Sequence, residues 1–265
     1  MKNNLLPGFS KKTLEFIMKA SRQKRPDWLE KNRTEYDARL LLPLQNLARH
    51  LKTELGTAAL GYHFPQKGIG RLKCSANKVA ERGSLYKNWI SYSASVPSGS
   101  RFEHNPSLFF MINPEDLEGD SVLAAGGLYM PSSRQLRAVR EAIAQDSTPF
   151  DRIFAWKTFA NSFPDGFSDE RISSRVPRGF NPEHPRVNWL KLQGFFVWRA
   201  YSFRDFSSSR FPEYVARDWK QALKLNVLLD QAVKGNWKKE IPQSKISRLS
   251  SRLENLEKVL RKPDF

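Results

Sequence analysis

Residues 107–143 read SLFFMINPEDLEGDSVLAAGGLYMPSSRQLRAVREAI, and the class of fold turns on them. Two apolar runs, Ser107 to Ile112 and Ser121 to Met130, flank the polar connection NPEDLEGD, which predicts an antiparallel hairpin. After Pro131 the period changes. Leu136, Val139 and Ile143 share one side at helical spacing, so an amphipathic helix is expected there.

Further strand candidates lie on either side. Trp89 to Val96 reads as a strand, and IGRLKC at 69–74 as a short one. Phe195 to Phe203 carries aromatics at both parities, which predicts a central strand covered on both faces. Ser10 is a good N-cap for a first helix with Leu14, Ile17 and Met18 on one face. From Asp27 the series Leu29, Tyr36, Leu40, Leu44, Leu47, Leu51 and Leu55 predicts a long helix ending at Gly56, kinked or divided by Pro43. Phe150 to Phe159 and Pro212 to Val233 read as helices, and residues 161–188 as an irregular segment. Helices outnumber strands and most strands are consecutive, so the class is α+β. A central, mainly antiparallel sheet packed with helices is expected over a doubly wound fold. The organisation that follows is one domain over 1–240 and a C-terminal helix over 243–265. In that helix Ile246, Leu249, Leu253, Leu256 and Leu260 keep a/d spacing. Two heptads favour docking on the main body, with self-association or partner docking as the alternatives.

The chain has 265 residues, 40% of them apolar and 12% aromatic, enough for a substantial core. Lys and Arg number 44 against 27 Asp and Glu, a net charge of +17. That surplus points to an anionic partner, nucleic acid first, because neutralised phosphates release counterions. The single cysteine excludes a disulfide framework and a Cys-based zinc site. Neither a signal peptide nor a membrane helix is expected, so the reading is a cytoplasmic protein without a membrane partner.

Catalytic signals are sparse. His50, His63, His104 and His184 lack metal-ligand spacing, and Cys74 reads as a buried inert thiol. GIG at 68–70 completes neither a dinucleotide fingerprint nor a P-loop, and no GxSxG elbow occurs. No cofactor and no metal are expected. Glu115, Asp116, Glu118 and Asp120 read as a turn rather than a calcium loop. Lys19, Arg22, Lys24 and Arg25 cluster where the first helix ends, a common place for cations.

Binding signals are stronger. Arg171, Arg175, Arg178, His184, Arg186 and Lys191 surround one irregular loop, and arginine forks match phosphate or carboxylate oxygens. The following strand alternates aromatics with Arg199 and Arg204, which resembles a single-strand platform. Its double-sided aromatic pattern favours a core strand whose arginines pair with carboxylates.

Several stretches together resemble the bacterial conserved hypothetical family called domain of unknown function 2461. They are GFS at 8–10 with Trp28, Leu29, Asn32, Arg33, Tyr36 and Pro43; GGLYMP at 126–131 with the RQLRAVR helix; and VPRGF at 176–180 with His184, Pro185, Lys191 and the aromatic strand. Their succession runs in the family's order over about residues 5–235. The resemblance implies an α+β domain and no particular activity. The family's Arg/Asp-rich signature is degraded here: Arg71 and Tyr86 match, Lys73, Lys78 and Arg82 keep charge nearby, and the Asp and two Arg have no equivalent.

The expected anion contacts are therefore Arg71, Lys73, Arg175, Arg178 and Lys191, with His184 and Tyr86 beside them. The ligand would be phosphate-bearing, most naturally nucleic acid. The alternatives are an enzyme acting on a small anion with His184 as acid or base, and an interaction module using the C-terminal helix.

Overall fold

A computed structural model describes residues 8–66, 69–98, 104–114 and 122–237. The acidic 115–120 segment and the 243–265 heptad segment lie outside the described residues. Four strands, β1 (Ile90–Ser95), β2 (Ser107–Ile112), β3 (Val122–Leu128) and β4 (Phe195–Ala200), form one antiparallel sheet in the order β1-β2-β3-β4. The expected hairpin is the β2–β3 pair, and Trp89 to Val96 supplies β1. IGRLKC forms a single bridge, Lys73 to Tyr86, rather than a strand.

Helices α1 (Lys11–Ser21), α2 (Trp28–Lys31), α3 (Arg33–Tyr36), α4 (Leu42–Leu55) and α5 (Ala76–Arg82) precede the sheet. The long helix expected from Asp27 is divided, with a π-helical turn over Asp37–Leu41 and Pro43 in the first turn of α4. Proline has no N–H to donate, and it sits where the helix passes from the π-helical turn into α4. Between β3 and β4 run α6 (Ser133–Gln145), α7 (Thr148–Ala155), α8 (Lys157–Ser162) and α9 (Val187–Lys191). The helix expected over Phe150 to Phe159 is thus two, because Trp156 takes an extended conformation. After β4 come α10 (Phe203–Phe206) and α11 (Phe211–Val233).

The register gives the sheet an inner and an outer face. Tyr92, Phe110 and Ala124 lie in one inner-face row, and Ala94, Leu108, Gly126 and Val197 in the next. The 23-residue α11 crosses this face, chiefly over β3. Gly126 is where it approaches closest, since any side chain there would overlap the Cβ of Ala222. Trp219 of α11 is fully buried beside Tyr92 and donates its indole N–H to the Phe109 carbonyl at 3.3 Å.

One expectation about β4 is corrected. The strand is an edge, not a centre, although Phe195, Phe196 and Val197 are buried as its pattern requires. The preceding segment supplies the missing cover: the Ser168 N–H donates to the Phe196 carbonyl at 2.9 Å, and Phe167 packs edge-on against Phe195. A covered edge and a central strand leave the same apolar signature in sequence. Among the described residues no helix is long and apolar enough to cross a membrane.

Candidate anion-binding loop

The expected site residues fall into two groups at opposite corners of the sheet. Arg71, Lys73 and Tyr86 belong to an arm, residues 71–87, that enters β1 at its Ile90 end. Arg175, Arg178, His184 and Lys191 belong to a loop that enters β4 at its Phe195 end. Ile90 shares its end of the sheet with Ile112 and Val122, whereas Phe195 pairs with Leu128 at the other end. Four strands of six or seven residues separate such corners by roughly 20 Å. Among the described residues no hydrogen bond or ion pair joins the two groups.

Within the arm, Tyr86 and Lys73 are already engaged. The Tyr86 ring is 1% exposed, packed edge-on to Trp28. Its hydroxyl donates toward the Arg25 and Pro26 carbonyls at 3.1 and 2.9 Å and accepts from the Leu29 N–H at 3.4 Å. Lys73 donates to the Pro26 carbonyl at 3.3 Å and lies 3.7 Å from Glu30. These two residues tie the α1–α2 connection to the arm. Arg71 is exposed and without an acidic partner among the described residues. Lys87 sits over the Trp89 ring at 4.6 Å, and burial, then the nearby Arg71 and Arg82, push its ammonium below the ordinary lysine value.

The loop, like the arm with its Lys73–Tyr86 bridge, is closed by backbone bonds, but fewer of its cations are engaged. Ile172 bridges Leu192, the Ser173 N–H donates to the Lys191 carbonyl, and the Gln193 N–H donates to the Arg171 carbonyl. These contacts close a neck at 171–173 and 191–193. Two arginines clamp that neck. Arg140 of α6 donates through Nη2 to the Leu192 carbonyl at 2.7 Å, and Arg171 donates to the Tyr129 carbonyl at 3.4 Å. Arg140 is only 9% exposed, its Nε has no partner, and burial depresses its pKa. Sequence analysis missed it because an arginine in an amphipathic helix normally reaches solvent.

Beyond the neck, Arg186 is neutralised by Asp151 of α7 at 2.6 Å and covers the Trp189 ring. Arg175 and Arg178 are exposed and Lys191 is half-buried. None of the three has an ion pair or side-chain hydrogen bond among the described residues. His184 is half-buried, and its Nδ1 accepts the Arg186 N–H at 3.0 Å, which shapes the turn into α9. No carboxylate contacts it among the described residues. The arrangement offers flexible cations on a fixed base and suits an anion larger than one carboxylate.

Elsewhere some cations are paired and others, Arg22, Lys24, Arg82 and Arg204 among them, have no ion pair among the described residues. Lys19 pairs with Glu35, Arg25 with Asp27 and Arg33 with Asp37. Arg199 of β4 reaches the fully buried Asp218 at 3.7 Å. Asp218 also accepts from Ser162 and Tyr201, both at 2.7 Å, and from Arg217 at 3.0 Å. Arg199 is thus paired and half-buried. Burial and then the Asp218 charge raise the Tyr201 hydroxyl well above the tyrosine range. An open depression of about 670 Å³ beside Ser10, Thr13 and Arg39 carries an internal Arg39–Glu35 pair at 2.9 Å. No group of three potential metal ligands occurs among the described residues.

An antiparallel α+β sheet, helices on its inner face and a clamped basic loop at one corner define the class of protein. Residues 12–227 match the family described as "conserved hypothetical protein (DUF2461)", and the chain belongs to that family. No curated protein and no solved structure matches it.

Proposed function

We propose that this protein binds a phosphate-bearing ligand, nucleic acid first, through the 174–191 loop. The observation that carries this reading is the gathering of Arg175, Arg178 and Lys191, none with an acidic partner among the described residues, on one loop whose ends are tied by backbone bonds. Free arginines on a backbone-fixed loop present their forks at little ordering cost, and phosphate oxygens match that geometry. The net charge of +17 adds a long-range attraction that salt screens.

The test is binding of the purified protein to short single-stranded and duplex DNA and RNA across a salt series. A steep fall of affinity with salt is expected, and Arg178→Ala should weaken binding and lower the slope by about 1. Binding that ignores the form of nucleic acid and is gone at physiological salt would reduce the charge to a surface property.

A further inference from the structure

The outer face of the sheet carries aromatic side chains that reach the neck of the loop at Tyr129 and Arg171. The substantial helix packing on the described sheet is by α11, on the inner face. Register then puts Phe109, Ala125 and Trp198 in one row of the outer face, with Ser107, Gly127 and Phe196 in the next. Phe109 and Trp198 are half-buried with no aromatic or cationic neighbour among the described residues. Two strand spacings separate them by roughly 10 Å. Tyr129, 47% exposed, stands just past the end of β3 and meets Phe196 edge-on at 5.0 Å. The Arg171 guanidinium lies 5.9 Å from the Tyr129 ring and Met130 and Ile172 are exposed close by in the chain, 58% and 44%.

Tyr129 and Arg171 therefore join the aromatic face to the neck of the cationic loop. On the strength of this juxtaposition, and resting on the function proposed above, we propose that the ligand is a single-stranded nucleic acid. Its bases stack on the outer sheet face at Tyr129, Trp198 and Phe109, and its phosphates meet Arg171, Arg175 and Arg178. Charge complementarity selects this occupant over an apolar partner, because Arg171, Arg175 and Arg178 have no carboxylate partner among the described residues. Stacking also needs unpaired bases, since a duplex hides their π faces. A duplex can reach the loop's cations alone.

The experiment uses the full chain, with a fluorescent poly-thymidine strand and a duplex of equal length as probes. Tyr129→Ala and Trp198→Leu should each lower single-strand affinity roughly 5- to 100-fold with an unchanged salt slope, and leave duplex affinity alone. Tyr129→Phe should restore most of the loss. Photo-crosslinking of an iodouracil-substituted strand to the unmutated protein should mark the outer face, a readout independent of any variant's folding. Unchanged affinity in both variants, or crosslinks confined elsewhere, would overturn the stacking face while leaving the cationic loop standing. A dimer that Trp198→Leu dissociates would assign the face to a second copy and overturn the inference. Absence of any salt-sensitive binding by the unmutated chain would end both this inference and the reading beneath it.

Discussion

The 71–87 arm and the 171–193 loop look alike in sequence: basic, poorly periodic, each with an aromatic or histidine among its cations. In the fold both are closed by backbone bonds, and they differ in what their side chains do. In the arm the side chains hold the structure, with the Tyr86 hydroxyl and the Lys73 ammonium ending on the carbonyls of the α1–α2 connection. In the loop the side chains of Arg175 and Arg178 have no hydrogen-bond or ion-pair partner among the described residues, and only the backbone, through the Ile172–Leu192 bridge and its flanking bonds, ties its ends. A cation is available to a ligand when no carbonyl or carboxylate of the fold already engages it, as Pro26 and Glu30 engage Lys73. That distinction also bears on the degraded family signature, because the matched Tyr86 and the neighbouring Lys73 both hold the α1–α2 connection.

The comparison can be broken or sharpened in order of effect. Tyr86→Ala should cost about 3–5 kcal/mol of stability, since it empties a buried ring position and strands its hydrogen-bond partners. Urea unfolding would measure this, and nucleic-acid affinity per folded molecule should stay the same. A lost affinity in folded Tyr86→Ala would return the arm to the binding site. Arg140→Met should free the Leu192 carbonyl and loosen the neck. The lost charge-assisted bond, about 1.5–3 kcal/mol, is offset by removal of an unpaired buried charge. Limited proteolysis within 174–190 should therefore speed up several-fold while the melting temperature moves little. An unchanged cleavage rate would show that the neck holds without its clamp.

The double variant Arg175→Ala with Arg178→Ala should keep stability within about 0.5 kcal/mol and lower the salt slope of binding by about 2. An unaltered slope would mean that these free arginines are solvated surface. The smallest effect is expected at Lys73→Ala, about 0–1 kcal/mol from one exposed ion pair, with no change of slope. A reduced slope there would put phosphate on the arm as well, and the contrast between the two regions would fail.

Much of the fold was readable because periodicity reports burial directly. The β2–β3 hairpin, α6, α11 and the division near Pro43 each follow from local spacing or proline chemistry. The position of β4 in the sheet was not readable, because Ser168 and Phe167 cover its edge from a segment without periodicity. Of the site, the cations of the loop were visible as residue types. Their freedom from partners was not, and neither was the Arg140 clamp, which depends on where α6 lies against Leu192. Tyr129 was part of GGLYMP, yet nothing local distinguishes an exposed tyrosine from a buried one such as Tyr86.

By itself the sequence determined the α+β class, the hairpin, the helix-forming faces, the large positive charge and the family. These rest on local spacing, composition and ordered motifs, which need no knowledge of distant neighbours. The tertiary structure alone decided that Arg71 and Arg178 lie at opposite corners, that Arg199 is spent on Asp218, and that Phe109 and Trp198 share a face without α11. The physical reason is that pairing and exposure are properties of what arrives from elsewhere in the chain. The carboxylate that neutralises an arginine, or the helix that covers a ring, can lie anywhere in the sequence, and only the packed fold brings it near.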